Sequence, residues 1–289
     1  MTPILLSWTD IGIAASLLLV DGVLSVALGL RLHRQLGFAA ARMVLQLVAI
    51  GFVLRTVFRL ASPWITLAVL LVMAAVAARE VAARPEQRLT RLGNLAVGAS
   101  AVAFATVLTA GLALSTAVRP QPWYDPRYAV PLTGIVLGNV LNGASLALDS
   151  LLGGVVRERG AIEARLALGA TYGQAIRPLL RASVRRALLP IVNQMSAAGL
   201  VTLPGIMTGQ ILAGMDPVEA VKYQILLMFL LGGGSGLAAV AVAYLAAWRL
   251  SDDRHRLRLD RLRVPTAPPL PSAQAPRRSR WRRAGTPRR

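Results

Sequence analysis

Long apolar runs separated by short arginine clusters set the organisation of this chain. Runs near Trp8–Leu30, Phe38–Phe58, Pro63–Ala83, Leu95–Ala117, Tyr128–Ser150, Leu189–Leu212 and Ala220–Trp248 carry few central charges. Each reaches about the 20 residues that a helix needs to cross ~30 Å of hydrocarbon. Backbone polar groups find no water in lipid, so runs of this length are expected to be helices. The alternating pattern of a membrane β-barrel is absent. The expected fold is all-α, a polytopic transmembrane helical bundle of about seven spans.

Composition strengthens this reading. Hydrophobic residues make up 55% of the 289 and charged residues only 16%. Met1 to Asp10 holds no basic residue, so the first run is expected to stay as a helix and not to act as a cleavable signal. The net charge of +19 could suggest nucleic acid, but its placement points to topology instead. With seven spans and a cytoplasmic C-terminus, inside segments collect 27 of the 32 basic residues. Only Arg55, Arg59, Arg119, Arg127 and Lys222 fall outside. The positive-inside rule then gives N-out and C-in. Two regions follow: residues 1–250 as a transmembrane domain and the Arg- and Pro-rich 251–289 as a disordered cytoplasmic tail touching anionic headgroups.

What the chain lacks narrows its chemistry. A phosphate-binding loop needs Gly-Lys-Ser/Thr, and the single lysine lies in Val221-Lys222-Tyr223. There is no cysteine, and His33 and His255 are far apart, so disulfides, thiolate metal sites and His clusters are excluded. No enzymatic reading, and no cofactor in this chain, is expected.

Residues 157–186 form the longest inside segment. Ile162, Leu166, Gly169, Gly173, Ile176 and Leu180 recur at helical spacing. The two glycines bracket a break, predicting two short amphipathic helices joined by a turn, able to lie on the membrane or dock into a soluble partner. Within the spans, polar residues are costly and mark contacts or a pathway. Asp21 sits in the middle of the first span, and Arg42 and Gln46 form an i, i+4 pair in the second. Gly134-x-x-x-Gly138 opens a small-residue face near Asn139, Asn142 and Asp149. In the sixth region Pro204-Gly205 and Gly209 should break the helix, since proline removes a backbone hydrogen bond. Freed carbonyls there, with Thr208 and Gln210, would supply oxygen ligands to a cavity, Met207 is the soft exception beside them, and Gln224 follows in the seventh span. Oxygen ligands of this kind suit hard cations, Fe(III) or Al(III) among them, and equally an organic solute.

Glu163-Ala164-Arg165-Leu166-Ala167-Leu168-Gly169-Ala170, followed by Leu189-Pro190, resembles the "EAA…G…LP" loop of ABC permeases, with Arg165 where that pattern has alanine. In that family the loop is a coupling helix seated in a cleft of the ATP-binding subunit. More extensively, Arg42–Leu47, Gly134–Asp149, Ile162–Thr171 and Gly199–Ile225 resemble the FetB-type permeases, bacterial iron exporters with plant relatives linked to aluminium tolerance. The resemblance runs from the first span to the seventh. It implies a multi-pass cell (inner) membrane protein exporting a metal ion with a separate ATP-binding subunit that carries ATP and Mg. It also implies a permease homodimer, with the lipid bilayer as the remaining partner and no nucleic acid. Glu163, Ala164, Gly169 and Ala170 would then couple to the ATPase. Asp21 and the broken sixth span leave open a gradient-driven carrier or channel.

Overall fold

The computed structural model describes residues 7–30, 32–90 and 92–263 of the chain. Arg31, Arg91 and residues 264–289, which include two thirds of the expected tail, lie outside that description. Nine helices are described: α1 Trp8–Ala27, α2 His33–Leu60, α3 Pro63–Ala83, α4 Gly93–Leu112, α5 Pro126–Arg157, α6 Arg159–Ala167, α7 Tyr172–Ala197, α8 Gly205–Leu212 and α9 Pro217–Arg249. A π-helical turn, Ala113–Val118, prolongs α4. Proline or an oxygen-bearing cap starts most of the long ones: Pro63, Pro126 and Pro217 stand in the first turn, and Asp125 and Asp216 accept backbone N–H groups. These residues satisfy or remove the donors that a helix start leaves unpaired.

Six helices are long and apolar enough to cross a membrane: α1, α2, α3, α4 with its π turn, α5 and α9. The expected sixth span is not a seventh of this kind. Its first part is the end of α7, which begins much earlier, at Tyr172, and continues through Pro178 and Pro190. An extended break at Ala198–Pro204 separates it from the eight-residue α8. The chain still crosses here, because the ends of α5 and α9 lie on one face. There the segment after α9 meets both the α3–α4 loop and α6. The crossing is a composite of α7, break and α8.

The core gathers α3, α4, α5, α7 and α9, with α5 against α9 the most extensive pair. Without a hydrophobic drive between helices in lipid, close approach depends on small residues. At the α5–α9 crossing a Cβ added to Gly143 would stand 2.9 Å from the Ser235 carbonyl oxygen. There Ser235 Oγ also donates to the Asn139 carbonyl at 2.9 Å. The expected Gly134–Gly138 pair behaves differently. Gly134 faces Met73 Cε at 3.1 Å, but nothing lies within 4 Å of Gly138. The close contact falls five residues further on, because helix rotation within the bundle, not glycine spacing, decides which face meets a neighbour.

Helices α1 and α2 contrast with this core. They pack on each other, touch α3 and α5 only lightly, and leave almost all of their apolar surface uncovered by protein.

The segment after α9 departs from the expected disorder over its first thirteen residues. Leu262–Arg263 (β2) pairs antiparallel with Arg88–Leu89 (β1) in the α3–α4 loop. Leu262 is buried, and Leu257 and Leu259 pack on the main core. Arg261 Nη1 donates to the carbonyls of Arg249 and Ser251, satisfying the last turn of α9. Composition suggested a tail without a core of its own; residues 251–263 instead borrow the core of the bundle.

Candidate functional site

Three helices meet in a run of polar contacts toward the end of the bundle where α5 and α9 finish. Arg42 Nη2 of α2 donates to Glu80 Oε1 of α3 at 2.9 Å. Arg84, just past α3, donates to Asn142 Oδ1 of α5 at 3.0 Å. Two turns further along α5, Asp149 Oδ1 accepts from the Glu86 backbone N–H at 3.2 Å. Asn142 and Asp149 are seven residues apart and so share one face of α5, which the single chain leaves exposed. Arg42 therefore pairs across helices and not with Gln46, which stands exposed one turn further along α2. Asp21 is exposed on α1 and joins none of these contacts. Asn139 belongs to the α5–α9 crossing: its Nδ2 donates to the Ile135 carbonyl at 3.2 Å, and its own carbonyl takes the Ser235 bond.

The opposite end holds the broken unit. Gly199, at φ +84°, and Ala198 turn the backbone out of the helix. Pro204 is the N-cap of α8 and Gly205 its first residue. Thr208 Oγ1 bonds back to the Pro204 carbonyl at 3.2 Å, so its hydroxyl is used within the helix and not offered to a cavity. Met207 is half-buried and Gly209 exposed. Gly214, at φ +93°, ends α8: its N–H bonds to the Ile211 carbonyl and that of Met215 to the Gln210 carbonyl. Such a close needs the left-handed backbone that glycine adopts freely. Helix α8 packs on α9. Here Gln210 Oε1 and Gln224 Oε1 are both buried without a hydrogen-bond partner among the described residues, as is Thr133 Oγ1 on α5. Buried amide oxygens without partners are uncommon and need a reason. In the single chain the Arg42–Asp149 contacts and these unpartnered oxygens form two separate groups. Among the described residues no three of His, Cys, Asp or Glu gather to hold a metal.

Residues 157–186 form a projecting turn held by several hydrogen bonds. Helix α6 ends on Gly169 at φ +90°; the Gly169 N–H bonds to the Leu166 carbonyl and the Ala170 N–H to the Arg165 carbonyl. The Ala164 carbonyl takes the Leu168 N–H. Thr171 and Gln174 then form a reciprocal capping box that starts α7. Gly173 falls inside the first turn of α7 and breaks nothing, so the expected second short helix is the start of a 26-residue one. Ile162, Ile176 and Leu180 are buried as the helical spacing predicts. Three ties hold the turn. Glu163 accepts from Arg159 at 2.8 Å, Arg165 Nη1 donates to the Ala175 carbonyl at 3.0 Å, and the Tyr172 hydroxyl donates to the Ala247 carbonyl of α9 at 3.0 Å. Burial pushes the Tyr172 phenol well above its ordinary value. Leu168, at the apex, is 88% exposed.

Glu80, Arg84, Tyr172 and Gly143 were not singled out from the sequence. Glu80 and Arg84 at i, i+4 beside the end of a span were a visible signal; their partners on other helices were not.

A family model described as "Uncharacterised protein family (UPF0014)" matches residues 8–250. The chain is 43% identical over 240 residues to the UPF0014 membrane protein slr1647 of Synechocystis, covering 82% of this chain and 91% of that one. It is 31% identical over 257 residues to the Escherichia coli protein named "Probable iron export permease protein FetB", covering 88% and 96%. Arabidopsis thaliana "Protein ALUMINUM SENSITIVE 3" is 32% identical over 233 residues, covering 80% and 83%. No solved structure matches the chain.

Proposed function

The chain belongs to the UPF0014 family of membrane proteins, and from that premise we propose that it is the permease subunit of an ABC-type transporter. It would pair with a separate ATP-binding subunit and export a metal ion. The observation that carries the reading is the α6–α7 turn. Its Gly169 close and its ties to α7 and α9 make it a stiff lever, and Leu168 projects from its tip. A flexible loop would transmit little of a partner's motion. A turn pinned to the last turn of α9 moves the bundle when it moves. Glu163, Ala164, Gly169 and Ala170 are the proposed coupling residues, and the proposed N-out, C-in orientation would put them on the cytoplasmic side of the cell membrane.

Two copies of the chain would enclose the pathway. The Asn142–Asp149 face of α5 is polar and open in one copy, and a polar face at membrane depth needs a partner or a wetted cavity. The cargo follows the printed name of the E. coli relative, an iron-like ion. Amide oxygens such as those of Gln210 and Gln224, which have no partner among the described residues, would bind a hard cation weakly enough to release it.

The test is purification of the tagged protein in mild detergent, with peptide mass identification of any P-loop ATPase that accompanies it. Co-purification with wild type and its loss in Gly169→Asp is the expected result. Iron movement in liposomes driven by an ion gradient, with no ATPase present, would overturn the proposal in favour of a gradient-driven carrier.

A further inference from the structure

Beside the coupling turn, the segment that follows α9 builds a second wall. A crevice of about 450 Å³ lies between Glu163, Leu166 and Gly169 on one side and Arg254, His255 and Leu257 on the other. The second wall is fixed in place. The Arg258 N–H bonds to the Leu250 carbonyl at 2.9 Å, Ser251 bridges to Leu257, and β2 ties the segment to the α3–α4 loop. His255 holds a left-handed backbone at φ +55° at its apex, with its N–H on the Asp252 carbonyl at 3.0 Å.

The charges around the crevice do not cancel. Glu163 is committed to Arg159, and Arg256 to Asp252 at 2.9 Å. The Arg254 guanidinium has no carboxylate partner among the described residues, although its backbone N–H bonds to Asp252 Oδ1 at 3.1 Å. The crevice lining carries two arginines, Arg254 and Arg256, against one carboxylate, Glu163, and an exposed leucine, Leu168, stands beside it in the chain. Apolar anchor and flanking charge together describe a protein docking surface.

We infer that residues 251–263 are half of the docking surface for the ATP-binding subunit. In this arrangement Leu168 enters an apolar cleft of the partner, while an acidic side chain beside that cleft reaches Arg254. The inference rests on the ATP-driven reading above and goes beyond it, because the coupling turn alone does not supply the positive wall. It also makes the docking surface span three parts of the chain, the α3–α4 loop, α6 and the segment after α9, joined through β1 and β2.

The chain has no cysteine, so Leu168→Cys, Arg254→Cys and, at the far end of the bundle, Trp123→Cys each carry one thiol. Each full-length variant, co-expressed with the P-loop subunit that co-purifies with wild type, is labelled with a thiol-reactive photo-cross-linker and irradiated. Capture of that subunit from positions 168 and 254, but not 123, is the expected result. Capture from 168 without 254 overturns the inference and leaves the ATP-driven reading standing. Capture from none, or equally from 123, overturns the inference too; if no P-loop subunit co-purifies at all, both fall together. As a second measure, Arg254→Glu should weaken subunit binding about fivefold at low salt, with the difference shrinking as salt rises. A loss that salt does not change would count against the charge pairing.

Discussion

Gly143 and Gly138 lie five residues apart on one helix, and the same substitution should act on them in opposite directions. At Gly143 an alanine methyl would stand 2.9 Å from the Ser235 carbonyl oxygen and 3.3 Å from its Cα and Cβ. The oxygen belongs to the backbone of α9 and cannot swing aside, so the two helices must part by a few tenths of an ångström. Overpacking of this kind costs about 1–3 kcal/mol. Parting also stretches the Ser235 Oγ to Asn139 carbonyl bond, a further loss of about 1 kcal/mol. Alanine recovers up to about 1 kcal/mol of helix propensity, leaving Gly143→Ala a net loss of roughly 1–3 kcal/mol. At Gly138 nothing lies within 4 Å, so only the propensity gain remains. Thermal unfolding of both variants in one detergent, followed by circular dichroism and by the loss of monodisperse protein, measures the difference. Gly143→Ala should unfold several degrees below wild type, with Gly138→Ala at or above it. If Gly138→Ala were the more damaging, the α5–α9 crossing would not be the contact that holds the bundle, and Gly138 would face a second copy of the chain.

Three further perturbations have expected outcomes. Gln224→Leu removes a buried amide oxygen without a partner, so it should raise the unfolding temperature while transport in liposomes falls at least tenfold; retained transport would exclude Gln224 from the pathway. Tyr172→Phe should loosen the coupling turn from α9 by about 1 kcal/mol, seen as faster hydrogen exchange over residues 159–176. The phenol is raised above its ordinary 10.0, so its contribution is complete below that value and is lost as pH climbs beyond it; protection of these amides in wild type, relative to the base-catalysed rate of an unfolded chain, should hold up to pH 10 and fall only above it. Arg42→Glu and Glu80→Arg should each impair transport, and the double exchange should restore it in part, because the pair spans α2 and α3.

The carboxylates of Asp252 and Asp260 bear on the stability of the docking segment. Hydrogen bonds from the Arg256 backbone hold Asp252 below its ordinary 3.8, and the Arg258 side chain does the same for Asp260. Stabilisation of that sign is present above 3.8 and is lost as pH falls through the lowered values. Brief proteolysis at Arg254, measured relative to an unstructured peptide of the same sequence at each pH, should therefore be unchanged from pH 8 to pH 5.

Hydropathy and arginine placement determined the membrane, the helical class and six of the crossings, and proline chemistry signalled a break near Pro204 that the structure puts at Ala198–Pro204, with Gly205 and Gly209 inside α8. Those features depend on what each residue costs in lipid or on what its own backbone permits, and both are local. The helical stripe through Ile162, Ile176 and Leu180 was legible for the same reason, since spacing on one helix fixes a face. Tertiary structure decided which faces meet. It moved the tight crossing from Gly134 and Gly138 to Gly143, gave Arg42 to Glu80 instead of Gln46, and carried α7 unbroken past Gly173. It also ordered residues 251–263, whose composition cannot build a core but whose leucines fill one built by other helices. Each of these outcomes turns on the rotation and neighbours of a helix in three dimensions, and one-dimensional spacing carries no term for either.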